Sequence, residues 1–249
     1  MNLTGLVIAQ NEERDLPRCL EALSFCDERL VIDGGSTDRT AEVAKAAGAR
    51  VLVHPWPGYA AQRRYGLEAA GCPWVLAVDA DEVVDERLKA AVIDALKAPQ
   101  ALGYEVRVEN WLLGRRLRFG GVGSDFHLRL VQREATLVTS QLVHEGYRVQ
   151  GPVGRLPGAL VHHSYSDVAE LAQKVDRYSS LGAVDAYARG RRPARAMAMA
   201  RLPFGFVKRY LFQLGFLDGY AGFTFAAVQA YGDFLKGAKL RELMERGDG

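Results

Sequence analysis

Short apolar runs alternate with helical patterns over the first hundred positions. Residues 6–9 are apolar throughout, which predicts a strand buried on both faces. Asn11 is placed to cap a helix through Leu23, in which Leu16, Leu20 and Leu23 share one face. Residues 30–32 predict a second strand. The polar turn Asp33-Gly34-Gly35-Ser36-Thr37-Asp38 follows, then a helix to about Ala47 that Gly48 stops. A third strand is expected at 51–53, a helix at 59–70 and a fourth strand at 74–78, ending on Asp79. A further helix covers about 85–97, with Pro99 beyond it. Such alternation predicts an α/β fold with a mainly parallel sheet flanked by helices. Ligands bind such sheets beyond the carboxyl ends of the strands. The residues after strands one, two and four, namely Asn11 and Glu12, Asp33, and Asp79 to Asp81, are therefore expected to converge.

The pattern changes after Gly103. Residues 104–108 and 128–131 read as strands, separated by a loop rich in Gly and Arg at 114–123. Residues 151–158 read as a turn region and 160–163 as a short strand. From Asp167, which can cap a helix through about Arg189, the chain looks helical. The division expected is an α/β domain at 1–165 and a helical extension at 166–249.

Seven Arg or Lys residues and no acid lie between Arg189 and Arg209, followed by an apolar stretch at 210–235. Residues 211–232 are long enough to span a bilayer. Gln213, Asp218 and Gln229 fall inside them, which argues against a span. Two readings of 189–235 fit: peripheral contact with a membrane surface, or helices packed on the core or on another subunit of an oligomer.

Composition adds exclusions. Of 249 residues 49% are hydrophobic and 25% charged, a globular profile, and the formal net charge of +2 indicates no class of partner. Nucleic acid is not an expected partner, because only the 189–209 run is basic and no recognition module accompanies it. Cys19, Cys26 and Cys72 lack CxxC spacing and read as buried thiols. The first residues lack the basic region of a signal peptide, so a cytoplasmic location is expected, at most peripheral on the inner face of the cytoplasmic membrane. No GxGxxG follows the first strand, which removes a dinucleotide oxidoreductase.

The strongest chemical signal is the run at 74–82, an apolar strand emerging with Asp79 and Asp81. Alternate strand residues face one way, and two such carboxylates repel unless a cation lies between them. Oxygen ligands select Mg²⁺ or Mn²⁺, which would hold a diphosphate. Asp33, at another strand end, can accept from a ribose hydroxyl or a base N–H. The same Asp79 and Asp81 also fit a haloacid-dehalogenase-type phosphatase, as nucleophile and acid–base. That reading needs a later Ser or Thr, a Lys and an acidic pair, and no convincing set follows. A non-catalytic nucleotide-sugar-binding protein would be marked by a missing carboxylate.

In combination, "VIAQNEE", "LVIDGGSTDRT" and "WVLAVDADE" resemble the inverting family 2 glycosyltransferases of the Rossmann-like GT-A fold. "HPWPGYAAQRRYGL", "GRRLRFGG", "LVHEGYRVQGPVGRL", "LVHHSYSD" and "RYLFQLGFLDGYAGF" resemble the bacterial lipopolysaccharide core subfamily. The resemblance covers nearly the whole chain. It implies a nucleotide-sugar donor, with UDP the expected carrier, a glycan or glycolipid acceptor such as a lipopolysaccharide core, and a divalent metal. Gln10, Asn11 and Glu12 would lie near the base, Asp33 on base or ribose, and Arg63 on the nucleotide or its phosphates. Asp79 would bind ribose or metal, Asp81 would be the principal metal ligand, and His162 would complete the metal shell. Inverting transfer needs a carboxylate base opposite the leaving diphosphate. Glu145 is the first candidate and Asp125 the second. Arg64, where many members have Asn, and Val122-Gly123, where the subfamily has an aromatic pair, depart from the pattern. Arg115, Arg116 and Arg118 form a basic cluster that suits an anionic acceptor or a solvated face.

Overall fold

The computed structural model describes residues 2–122, 126–139, 146–165, 167–192 and 195–247. In chain order the elements are β1 (Leu3–Ala9), α1 (Leu16–Ala22), β2 (Glu28–Asp33), α2 (Thr40–Ala46), β3 (Arg50–Val53), α3 (Tyr59–Ala69), β4 (Trp74–Asp79), β5 (Glu82–Val84) and α4 (Glu86–Lys97). There follow β6 (Gly103–Leu112), β7 (Arg115–Arg116), β8 (Phe126–Gln132), β9 (Thr136–Thr139), β10 (Gly146–Val149) and β11 (Val153–Tyr165). The helices α5 (Val168–Ala188), α6 (Arg195–Val207) and α7 (Gly219–Gly247) complete the order. Two compact units emerge, Met1–Val108 with Asp125–His162, and Glu109–Ser124 with His163–Gly249.

In the first unit β1 lies between β2 and β4, parallel to both, and β3 extends the sheet beyond β2. The register sets Ala9 opposite Asp33 and Ile8 opposite Asp79. The three strands therefore end together, as their polar termini require. Beyond β4 the pairing becomes antiparallel, to β8 and then β6, and the sheet continues through β11 to β5. Strand alternation divides the core into two layers. Leu3, Val7 and Val31 pack with Leu16 and Leu20 of α1 and Leu88 and Val92 of α4. Leu6, Leu30, Ile32 and Val75 pack with Leu67 of α3 on the opposite face. Gly66 lets α3 approach closely, since a Cβ there would stand 2.7 Å from Leu6 Cδ1.

Two local expectations are corrected. The helix expected from Asn11 starts at Leu16. Asn11 instead holds φ 59° and its side-chain oxygen accepts from Thr37 N, so a tertiary bond displaces the local cap. The expected turn at 151–158 lies largely inside β11. Gly158 has φ 94°, and a Cβ there would come 2.3 Å from Leu88 N. The glycine thus serves close contact with the start of α4.

The second unit is centred on Leu112, Leu117, Leu171, Val175, Ala221 and Phe225. Asp167 caps α5 by accepting from Glu170 N at 2.8 Å. Helices α5 and α7 touch closely at Gly232, where a Cβ would lie 2.4 Å from Val175. Among the described residues no single helix is long and apolar enough to cross a membrane.

Glu28 ties β1 and β2 to the chain entering β4. Its carboxylate accepts from Thr4 Oγ1, from Gly71 N at 2.7 Å and from Arg50 at 2.6 Å. Burial alone would raise its pKa, but these hydrogen bonds and the Arg50 pair outweigh burial and hold it below the ordinary value. Because folding lowers this pKa, the stabilisation is present above 4.5 and is lost as pH falls through the folded value. Glu28→Gln is expected to cost about 1–2 kcal/mol at pH 7. Urea unfolding should show the difference shrinking as pH falls below 4.5, whereas a constant difference would contradict this role.

Candidate functional site

The site lies where β1, β2 and β4 end. Asp33, the last residue of β2, is 3% exposed and accepts from both Ser36 N, at 3.0 Å, and Ser36 Oγ. These bonds close the turn that the glycines permit, with Gly35 at φ 87°. The chain leaving β1 is fastened to the same turn. Gln10 Nε2 donates to Gly34 O at 3.2 Å, Asn11 N to Ser36 Oγ at 2.9 Å, and Glu12 N to Thr40 Oγ1 at 2.8 Å. Trp56 lies against this corner, since a Cβ on Gly34 would meet its ring at 2.7 Å. Its ring packs edge-on to Tyr59 at 4.8 Å, and the Arg63 guanidinium is 5.9 Å from the Tyr59 centroid.

At the end of β4 the chain turns at once, so Asp79 ends the strand while Asp81 sits in a turn. Strand alternation therefore does not align the two carboxylates, and each has a different partner. Asp79 Oδ2 accepts from Arg129 at 2.9 Å, and its side chain remains 41% exposed. Arg129 also donates to Glu82 Oε1 at 2.6 Å. Glu82 is 1% exposed and accepts from Asp79 N at 2.9 Å through its other oxygen. Asp81 Oδ2 lies 3.0 Å from His162 Nε2, brought there by the antiparallel pairing of β5 with β11 that sets His162 opposite Glu82.

These contacts separate the acid strengths. Burial opposes charge on Asp79, but the Arg129 guanidinium overrides it and holds the carboxyl far below the usual range. Glu82 is pushed up to about 7, first by burial and then by Asp79, against the pull of Arg129. Burial would lower His162, yet its hydrogen bond to Asp81 and the surrounding carboxylates raise it. Tyr147, on β10, is pushed up to about 12 by burial, against the pull of Arg63 and Arg129. The result is a strand end at which Asp79 stays ionised beside the buried Arg129 guanidinium, while Glu82 holds its proton up to near neutral pH.

The fold thus brings Gln10, Asn11, Glu12 and Asp33 to one corner and sets Asp79 and Asp81 at the adjoining strand end with His162. Arg63 exerts its field on both Asp79 and Tyr147. Glu145 and Asp125 lie outside the described residues. Among the described residues, no group of three or more His, Cys, Asp or Glu side chains is arranged to hold a metal by itself. Asp81 and His162 still offer one oxygen and one nitrogen. That partial set fits Mg²⁺ or Mn²⁺, which commonly take one or two protein ligands and complete their shell with phosphate and water. Sequence reasoning passed over Arg129, Glu82 and Trp56. A charged residue inside the apolar strand at 126–132 is the signal that could have exposed Arg129.

The family model described as glycosyl transferase family 2 matches residues 6–134. The lipopolysaccharide core biosynthesis glycosyltransferase LpsC of Rhizobium meliloti (strain 1021) is 33% identical over 246 residues, 96% of this chain and 91% of that protein. An uncharacterized glycosyltransferase of Rickettsia typhi is 26% identical over 254 residues, 97% of this chain and 87% of its own length. Among solved structures, glucosyl-3-phosphoglycerate synthase from Mycobacterium tuberculosis in complex with phosphoglyceric acid has a TM-score of 0.48. It is 18% identical and covers 77% of this chain and 81% of that one.

Proposed function

The chain belongs to glycosyl transferase family 2, and we propose that it transfers a sugar, with inversion, from a UDP-linked donor to a lipopolysaccharide core or another lipid-linked glycan. One observation carries the donor site. Three parallel strands end together, presenting Asp33, Asp79 and the Asp81–His162 pair beside a glycine turn. The acceptor class is supported by the relative of 33% identity that spans nearly the whole chain. The phosphatase and non-catalytic readings find no such support.

In this reading Gln10, Asn11 and Glu12 border the base, and Asp33 accepts from base or ribose. The exposed oxygen of Asp79 accepts from ribose or joins the metal shell, while Arg63 draws the diphosphate. Asp81 and His162 hold Mg²⁺ or Mn²⁺. Such a cation, when bound, neutralises the charge that develops on the leaving diphosphate. The acceptor hydroxyl oxygen bonds to the anomeric carbon as the bond from that carbon to the diphosphate oxygen breaks. The hydroxyl proton passes to a carboxylate, Glu145 in first place and Asp125 in second. Residues 1–165 supply this chemistry at the cytoplasmic face. Residues 166–249 form the extension, whose segment 189–235 makes peripheral contact with the membrane or with another subunit.

The test is a transfer assay pairing UDP-, GDP-, CDP- and dTDP-sugars with lipopolysaccharide core acceptors, with the product linkage read by NMR. A UDP-sugar should be consumed to give a product of inverted anomeric configuration. A retained configuration would contradict the single displacement, and transfer from another carrier would move the donor assignment.

A further inference from the structure

Within the second unit, α6 passes through a π-helical turn at Lys208–Phe212 and a 3-10 turn at Gly215–Asp218 into α7. The two helical arms are bent by 72°. The corner is firmly built. Leu214 holds φ 58°, a conformation rare for a branched residue. A Cβ on Gly222 would come 2.0 Å from Gly215 O, so backbone meets backbone there. Gln213 O accepts from Gly120 N at 2.8 Å. Asp218 accepts from Arg118 N and Phe119 N, both at 2.9 Å.

This rigid corner shows apolar side chains to the outside. Phe212 is 78% exposed and Tyr220 75%, and Leu211, Leu214, Phe216 and Leu217 are exposed with them. From Arg189 to Gly232 the only acidic residue is Asp218, and its carboxylate is turned inward to the two backbone N–H groups. The neighbouring charges are cationic. Arg115 and Arg118 are both exposed, and Arg118 belongs to the strap that Asp218 holds. Arg115 Nη1 would lie 3.8 Å from a Cβ on Gly219, at the start of α7.

We infer that this corner is a membrane anchor. Phe212, Phe216, Leu217 and Tyr220 enter the acyl boundary of an anionic bilayer, while Arg115 and Arg118 bind headgroup phosphates. The inference rests on the reading of 189–235 as a peripheral membrane contact and assigns that contact to particular residues. Charge decides the occupant. An apolar tip flanked by two exposed arginines, with its own acid Asp218 turned inward, matches an anionic interface, where aromatic side chains and basic clusters act together. A second copy of this chain would bring the same arginines against one another.

The test is flotation of the full chain with phosphatidylcholine vesicles, with or without one quarter phosphatidylglycerol. Thermal stabilisation by UDP with Mn²⁺ is measured on every variant as an independent readout of the donor site. The wild type should float with anionic vesicles and largely lose binding on neutral ones. Phe212→Glu with Leu217→Glu should lower partitioning more than tenfold. Arg115→Gln with Arg118→Gln should lower it roughly fivefold per charge removed, and only on anionic vesicles. Both variants should keep the wild-type response to UDP. Wild-type flotation of both variants would overturn the anchor while leaving membrane contact elsewhere in 189–235. Failure of the wild type to float, or a dimer in solution that Phe212→Glu dissociates, would overturn the membrane reading with it. Neither result would touch the donor site, which the UDP response judges separately.

Discussion

Asp81→Ala is expected to lower transfer on the order of a thousandfold, the scale on which loss of charge stabilisation at a leaving group acts, and to remove the dependence of donor binding on Mn²⁺. Asp81 is placed for this by position and by partner. It sits in the turn after β4, is held 3.0 Å from His162, and adjoins the strand ends that carry Asp33 and Asp79. Its side chain is part of no apolar layer, so the variant should fold with little loss of stability. His162→Ala should fall less steeply, roughly 10- to 100-fold, because Asp81 and the diphosphate can still hold a cation. Steady-state kinetics over a Mn²⁺ series, with circular dichroism to confirm folding, separate these outcomes. Near-wild-type turnover in Asp81→Ala would move metal binding to Asp79.

Arg129→Met should be among the most destabilising single changes in the first unit. Arg129 bridges Asp79 and Glu82, and Glu82 is almost wholly buried. Removing the cation strands two carboxylates and is expected to cost about 3–5 kcal/mol. The cost should depend on pH. Folding raises the Glu82 pKa from 4.5 to about 7, so the stability linked to its proton is present below 4.5 and is lost as pH rises through 7. Without Arg129 that proton becomes harder to give up. The penalty should therefore be larger at pH 8 than at pH 5, and Glu82→Gln in the same chain should recover part of it at pH 8. Urea unfolding at the two pH values measures this. Equal penalties would show that Glu82 is not the stranded charge.

The parallel half of the fold was legible because its signals are local. Buried strands announce themselves as apolar runs, and alternation with helices orders them, so the placement of Asp33 and Asp79 at the same edge, on the strands either side of β1, followed from topology alone. The Arg129–Glu82 bond was not legible. Its partners are 47 residues apart, and the antiparallel placement of β8 that joins them is encoded in long-range packing. The Asp81–His162 contact spans 81 residues and came from family resemblance rather than from spacing. Local rules failed where tertiary bonds overrode them. Asn11 has the chemistry of a cap but serves Thr37 instead, and Gly158 has the chemistry of a turn but lies within β11 against α4. The run Asp79-Ala80-Asp81 looked like one strand face, and a turn after Asp79 divides it.

The central claim is a metal-dependent nucleotide site where β1, β2 and β4 end. Thermal unfolding with UDP, GDP, CDP and dTDP, each with and without Mn²⁺, tests it on the wild type and on Asp81→Ala. A ligand that binds only the folded chain stabilises it by about 2.7 kcal/mol at a hundredfold excess over its Kd. The proposed function predicts a rise in Tm with UDP that needs Mn²⁺ and disappears in Asp81→Ala. No rise with any nucleotide, or a rise indifferent to both the metal and Asp81, would contradict it.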